Sequence, residues 1–198
     1  MNRSDFLLTT GLFAGLGFLP SSAHPPSGDI APLLLPPLPA LPHNGSMNLR
    51  TRVRSEMTGG VFSCVETAVA PKTMGPPPHS HDELDELMFV LEGTASVLVG
   101  TEVVQVAAGG WHLRPRKIQH TFWNATDAPL LFIDMYFNQP FERYLEKIFF
   151  ELTPENGYVE GSEAKNRIMA DLNREYGLRF SDTAFAEFDR IKATYGVK

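Results

Sequence analysis

The sequence predicts a mainly β protein, an antiparallel sandwich or jelly roll, followed by α-helices at its C-terminal end. Two observations carry this prediction. Between Met47 and Asn138 the chain contains many short strand-like runs separated by glycine and proline, with no helical period between them. After Pro140 the apolar residues recur at helical spacing instead.

The runs before Pro140 are rich in β-branched and aromatic residues and are bounded by turn-forming residues. The predicted strands are 61–70, 84–91, 94–99, 102–106, 121–124 and 130–137. Beyond Pro140, an apolar stripe over residues 141–152 predicts one helix. Ser162 and Ser181 are placed to cap two further helices that end near Gly177 and Gly196. We expect these helices to cover the β domain or to contribute to a homodimer.

Length and charge limit the classes of function. A chain of 198 residues has room for one domain and an appendage. The 17 Lys and Arg residues against 23 Asp and Glu give a net charge of -6, which argues against nucleic-acid binding. A single cysteine, Cys64, excludes an intrachain disulfide and a thiolate zinc cluster. Because it lies in an alternating strand, we expect an inert buried thiol.

The N-terminal segment has the features of an export signal. A positive start at Arg3 precedes 14 uncharged residues, 6–19, and small residues then surround Ala23. We predict a signal peptide over 1–23, of Sec or degenerate twin-arginine type, and a periplasmic or secreted mature protein. A bilayer span needs roughly 20 apolar residues, which is more than this run contains, and cleavage would remove the run. We therefore expect no stable membrane anchor after cleavage. A disordered apolar tail and an uncleaved anchor are the alternatives.

Three further regions follow in the predicted domain organisation. Eight of the 16 prolines lie between Pro20 and Pro42, which favours an extended Pro-rich spacer over residues 24–46. The β domain then occupies residues 47–140, and the helical extension occupies residues 141–198.

The residues that suggest chemistry begin at His79. On an extended backbone His79 and His81 point to the same face, so both rings can reach one ion. Glu86 follows at the start of an apolar run, where an inward carboxylate needs a cation or a proton. If His120 joins them, three imidazoles and one carboxylate suit a divalent transition metal: Fe, Mn, Ni, Zn or Cu. Asp85 is the alternative carboxylate, and a solvated histidine loop is the alternative to a metal site.

Two segments of the chain resemble the two motifs of the cupin superfamily. The first motif, G-x5-H-x-H-x(3,4)-E-x6-G, is matched from His79 to Gly93, although Thr73 stands at its leading glycine. The second, G-x5-P-x-G-x2-H-x3-N, is matched at four positions, whereas Lys117 replaces its internal glycine. These four are Gly109, Pro115, His120 and Asn124.

The resemblance implies a double-stranded β-helix barrel, the cupin jelly roll, with metal ligands at His79, His81, Glu86 and His120. Residues 137–144 and 172–180 are also similar to small cupins described as quercetin dioxygenase-like. If the turn at Lys117 requires a positive φ, this lysine would be strained where a glycine would not be.

Strand parity indicates what surrounds the ion. If His120 and Glu86 point inward, Phe122, Asn124 and Met88 lie on the inner face as well, whereas Trp123 faces away. We therefore expect a substrate pocket that includes Met88, Phe122 and Asn124 and suits a small aromatic or otherwise carbon-rich molecule.

Two classes of function fit this site. A redox metal with open positions would make the protein a dioxygenase-like oxidoreductase, and a non-redox ion would favour isomerase or lyase chemistry. The resemblance allows Glu86 to act as catalytic base, and Tyr136 is the other candidate acid or base. The alternative is a metal-stabilised binding or structural cupin without turnover.

Overall fold

The structure of the protein is a computed structural model, which describes residues 30–198. The predicted signal peptide, residues 1–23, lies outside the described residues. The spacer from residue 30 to residue 43 contains neither helix nor strand. Among the described residues, no helix is both long and apolar enough to cross a bilayer.

The described chain folds mainly into antiparallel strands, with helices after the last long strand. The strands are β1 Met47–Val53, β2 Phe62–Val69, β3 Thr73–Met74, β4 Ser80–His81, β5 Asp85–Glu92, β6 Thr94–Val99, β7 Glu102–Ala107, β8 Trp111–Arg114, β9 His120–Asn124, β10 Leu130–Phe137 and β11 Leu178–Arg179. The helices are α1 Phe141–Glu146, which continues as a π-helical stretch Lys147–Glu151, α2 Glu163–Glu175 and α3 Ala184–Tyr195.

Two sheets form the barrel. One has the strand order β1-β2-β10-β5-β8 and the other the order β3-β9-β6-β7, while β4 pairs with β11. Their inner faces share an apolar core that includes Val69, Met88, Phe122 and Phe132. In β10 the burial alternates at every residue, so that one face points into the barrel and the other away from it. The mainly β fold with C-terminal helices, a double-stranded β-helix, is confirmed.

The predicted strands agree with β2, β5, β6, β7, β9 and β10 to within one residue at each end. The cap of α2 is also confirmed, because the Ser162 hydroxyl accepts a hydrogen bond from the Lys165 N–H. The predicted Ser181 cap is wrong. The N-cap of α3 is Thr183. Ser181 accepts from the Ala184 N–H through its backbone carbonyl, and its hydroxyl is hydrogen-bonded to the Thr183 hydroxyl at 3.3 Å.

The helices cover two parts of the barrel. In α3, Ile191 and Tyr195 pack on the fully buried Trp123, which faces away from the barrel interior as parity predicts. At the other end, Phe141 and Tyr144 of α1 lie over the barrel mouth.

Cys64 is half-buried rather than buried, although burial still raises the pKa of its thiol to about 11. A thiol with that pKa is almost entirely protonated at neutral pH.

Candidate metal centre

The four predicted ligand residues meet inside the barrel. His79, His81, Glu86 and His120 are all buried, and one potential ligand atom from each lies within 4.8 Å of the others. The ring centroid of His79 is 4.9 Å from that of His81 and 4.7 Å from that of His120. Three imidazoles and one carboxylate, from positions up to 41 residues apart (120 minus 79), therefore surround one point.

Backbone hydrogen bonds hold the two motif segments together. The N–H of His79 donates to the carbonyl of His120 at 3.0 Å, and the N–H of His120 donates back to the carbonyl of His79 at 2.8 Å. His81 pairs with Leu178 of β11, so the C-terminal part of the chain fixes its strand. Glu86 lies in β5 of the larger sheet, between Tyr136 of β10 and Arg114 of β8.

The hydrogen bonds of the rings leave lone pairs directed at the cluster. Nδ1 of His79 donates to the Pro77 carbonyl at 2.8 Å, and Nδ1 of His120 donates to the Ile118 carbonyl at 2.9 Å, because a carbonyl can only accept. With the proton on Nδ1, Nε2 of each ring is left to bind a metal. Nε2 of His81 and of His120 are buried 3.0 and 3.4 Å from the carboxylate oxygens of Glu86, but neither makes a hydrogen bond of acceptable geometry among the described residues. Buried imidazole nitrogens that lack good hydrogen bonds and lie beside a carboxylate fit a divalent transition metal.

Glu86 is ionised in this environment. Burial alone would raise its pKa, but the neighbouring Arg114 guanidinium and His120 lower it, and the pKa lies well below the usual value. One nitrogen of Arg114 lies 3.0 Å from Glu86 Oε2 and also contacts Asp134. Oε1 of Glu86 lies 3.0 Å from Nε2 of His81. The carboxylate thus faces the imidazoles on one side and a buried cation on the other.

Arg114 and Asp134 form a buried ion pair that the sequence analysis missed. Both are almost fully buried, and burial raises the pKa of Asp134 although Arg114 opposes the shift. The hydroxyl of Tyr136 donates to Asp134 Oδ2 at 3.3 Å, and burial raises the pKa of Tyr136 well above 10. Asp134 occupies an inward position of a strand that is otherwise apolar around it. Because inward and outward residues alternate along β10, the sequence could have indicated that Asp134 points into the barrel.

Asp85, the alternative carboxylate, does not join the cluster. It faces outward and accepts hydrogen bonds from the backbone N–H and the Nε of Arg116, at 2.9 and 3.0 Å. His112 lies in β8 and is outside the cluster.

A cavity of about 120 Å³ lies against the cluster. His79, Glu86 and Arg114 form its polar end, while Phe141 and Phe149 close it from the C-terminal side. Most of the remaining lining is apolar or aromatic, which favours a ligand with a carbon skeleton.

Of the three predicted pocket residues, the structure brings Phe122 to this cavity. Met88 lies in the apolar core instead. The amide of Asn124 donates to the carbonyls of Ala70 and Ala128 at 3.0 and 2.8 Å, so that it fixes the backbone at the far end of the barrel.

Lys117 has a positive φ of 65°, the left-handed conformation that the motif glycine would adopt without strain. We expect Lys117→Gly to raise the free energy of unfolding by about 1 kcal/mol, measured by urea denaturation. Lys117→Ala is the control, because alanine keeps the Cβ and should give no gain. Equal stabilisation by both variants would show that the lysine side chain, rather than its backbone conformation, carries the cost.

A small antiparallel barrel that encloses three histidines and a carboxylate defines a class of protein, the jelly-roll barrels with an internal site suited to a metal ion. A family model described as Cupin domain matches residues 65–136, which contain the whole cluster. Residues 65–136 therefore form a cupin domain.

Several solved structures are similar to this chain. KdgF from Halomonas sp. is 16% identical, with 50% of this chain and 84% of that chain covered and a TM-score of 0.44. An uncharacterised protein with a double-stranded β-helix domain from Klebsiella pneumoniae is 18% identical, with 50% and 78% covered and a TM-score of 0.44. A sugar phosphate isomerase of the cupin superfamily from Silicibacter pomeroyi is 23% identical, with 49% and 62% covered and a TM-score of 0.41. A search of curated proteins finds no match.

Proposed function

We propose that the protein is a metal-dependent oxidoreductase of the dioxygenase-like kind, which acts on a small aromatic or otherwise carbon-rich molecule. One observation carries the proposal. Four buried ligand residues stand at the polar end of a cavity whose other walls are mainly apolar and aromatic. An ion there and a carbon-rich ligand in the cavity would be in direct contact.

His79, His81, His120 and Glu86 would hold the ion. A divalent transition metal supplies Lewis acidity and, where it is redox-active, electron transfer with dioxygen. Residues of the chain would exclude water and accept a proton. Phe141 and the π-helical stretch after α1 keep bulk water from the cavity, and Glu86 offers a carboxylate oxygen that can take a proton from the bound molecule. Arg114 keeps that carboxylate ionised.

The size of the cavity limits the substrate. A cavity of about 120 Å³ is comparable to one of about 150 Å³ that admits benzene, so a one-ring molecule is the expected fit. A three-ring flavonol would require α1 to move away from the barrel mouth.

A non-catalytic binding protein is the second candidate, and one observation favours it. Asp134 and Tyr136, the other ionisable groups at the cavity, are engaged with each other and with Arg114. Glu86 is then the one carboxylate in the described cavity that is oriented toward the cluster and can serve as a base.

Elemental analysis of the purified protein tests the site. We expect about one transition-metal ion per chain in the wild type and its loss in both His79→Ala and His120→Ala, because each removes an imidazole ligand. His112→Ala is the matched control and should retain the metal. Circular dichroism checks that the variants are folded. Metal retained by either folded ligand variant would contradict the assigned site.

Oxygen uptake by the metal-loaded protein separates oxygenase from binder. We expect uptake with catechol-sized compounds and none with flavonols. Tight binding of catechol without oxygen uptake or product would support the binding protein instead.

A further inference from the structure

We infer that ligands enter the internal cavity through a wall formed by Ile148 and Phe149, and that this wall limits the size of the ligand. The inference deepens the proposed function. The class of ligand rests on that proposal, whereas the route depends on neither a bound metal nor turnover. We define the outer pocket as the surface pocket of about 360 Å³ that lies between residues 148–154 and residues 160–169.

Ile148 and Phe149 separate the outer pocket from the cavity beside the metal centre. Both side chains line the outer pocket, and both also line the cavity of about 120 Å³. The wall between the two spaces is therefore one layer of side chains thick at this point. A molecule that passes it enters the cavity that His79 and Glu86 line.

The backbone that carries the wall is less firmly packed than α1. Three residues of α1 are buried, whereas no residue of Lys147–Glu151 is buried. This stretch closes with a π-type hydrogen bond from the Leu152 N–H to the Lys147 carbonyl, at 2.9 Å. Single π-helical turns are rare and occur frequently at functional sites. Because segments with few buried contacts open at lower cost than the elements around them, Phe149 can move while α1 stays in place.

The outer pocket suits the same class of ligand as the cavity. Leu152 and Met169 extend its apolar wall, and one cation lies among them. The side chain of Lys165 is only 12% exposed, and its ammonium lies 2.5 Å from the carboxylate of Glu160, which is 84% exposed. An exposed ion pair of this kind is weak, so the carboxylate can move away and leave Lys165 to an ionised group of the ligand. An aromatic ring that carries an ionised hydroxyl or carboxylate fits this pocket.

The opposite wall of the cavity is the competing route. Met47 lines the cavity and is half-buried. It lies in β1, however, where it is paired with Val69 of β2 in a ladder that runs to Val53. Moving Met47 aside would disturb that ladder, whereas Phe149 lies outside both sheets.

Acylation of His79 in the metal-free full chain by diethyl pyrocarbonate tests the route. The reagent is uncharged and reacts with unprotonated imidazole, so mass spectrometry of His79 reports its arrival in the cavity. We expect His79 to react roughly tenfold faster in Phe149→Ala, because the truncation leaves a gap in the wall. In Phe149→Trp it should react roughly threefold more slowly, because the larger ring fills the passage. Phe150→Ala is the matched control, since Phe150 is 50% exposed and lines neither space, and it should keep the wild-type rate.

The two Phe149 variants together keep the test decisive. A loss of stability can only accelerate acylation, so a slower Phe149→Trp separates a narrower passage from a loosened fold. A wild-type rate in either variant would overturn the inference. Faster acylation in Met47→Ala without any change in Phe149→Ala would also overturn it, in favour of entry past β1.

Binding of a two-ring catechol analogue to the metal-loaded protein tests the size limit. Because Phe149→Ala joins the cavity to the outer pocket, it should bind 2,3-dihydroxynaphthalene roughly tenfold more tightly than the wild type in isothermal titration calorimetry. Equal affinity of the two proteins for this compound would overturn the size limit. A wild type that binds no catechol would contradict the proposed function instead, and the acylation rates would still decide the route.

Discussion

Replacing Arg114 with methionine is expected to lower the free energy of unfolding of the metal-free protein by about 3–5 kcal/mol. Arg114 is 1% exposed, and one of its nitrogens contacts both Glu86 and Asp134. Methionine fills much of the same volume but leaves two buried carboxylates facing each other without a cation. Urea denaturation in the presence of a chelator, followed by tryptophan fluorescence, measures the loss.

Arg116→Met is the matched control for this variant. Arg116 pairs with Asp85 and Glu83 on the surface of the same segment, and its side chain is 35% exposed. Exposed pairs of this kind contribute about 0–1 kcal/mol. An Arg114→Met loss no larger than that of Arg116→Met would contradict the view that the buried cation stabilises the two carboxylates.

The sequence was sufficient for the parts of the fold that local pattern determines. The bounds of β6 and β10 were predicted to the residue, since each strand stands between clear turn residues. The ligand residues could also be predicted, because the resemblance fixes their spacing independently in two segments. Only the structure shows that these residues converge. In the structure, two backbone hydrogen bonds join His79 and His120.

What the sequence analysis missed depends on tertiary contacts. The two-residue strands β4 and β11 exist because His81 and Leu178 meet across the fold, and neither has a strand pattern of its own. Arg114 and Asp134 form an ion pair across 20 residues, so no local signal joins them. The Ser181 cap failed because serine two residues before the actual N-cap, Thr183, satisfies the same local rule.

Strand β10 shows a further limit of pattern reading. The β10 sequence LLFIDMYF is apolar at nearly every position, which predicts a strand buried on both sides. The sequence cannot say whether the second side is covered by the same chain or by another. In the structure the inner side holds Phe132 and Asp134, whereas the outward residues of β10 are only half-buried.

Acidification is expected to destabilise the metal-free protein through His79. Burial, then the neighbouring His120 and His81, lower the pKa of His79 from 6.5 to about 3. Above pH 6.5 the ring is neutral in the folded and unfolded states, so its contribution is fully present. Below pH 6.5 His79 binds a proton in the unfolded chain but not in the folded chain. The free energy of unfolding therefore falls by roughly 1.4 kcal/mol per pH unit.

The comparison with His79→Gln isolates this effect between pH 6.5 and 4.5. Over that range the wild type should lose about 2–3 kcal/mol more than the variant in chelator-containing urea titrations. Buried Asp134, whose pKa is raised, acts in the opposite direction but contributes equally to both proteins. His43→Gln, in the turn before β1, should keep the wild-type slope. Parallel pH profiles for wild type and His79→Gln would mean that the ring accepts its proton inside the folded barrel, which is incompatible with a neutral imidazole held ready for a metal.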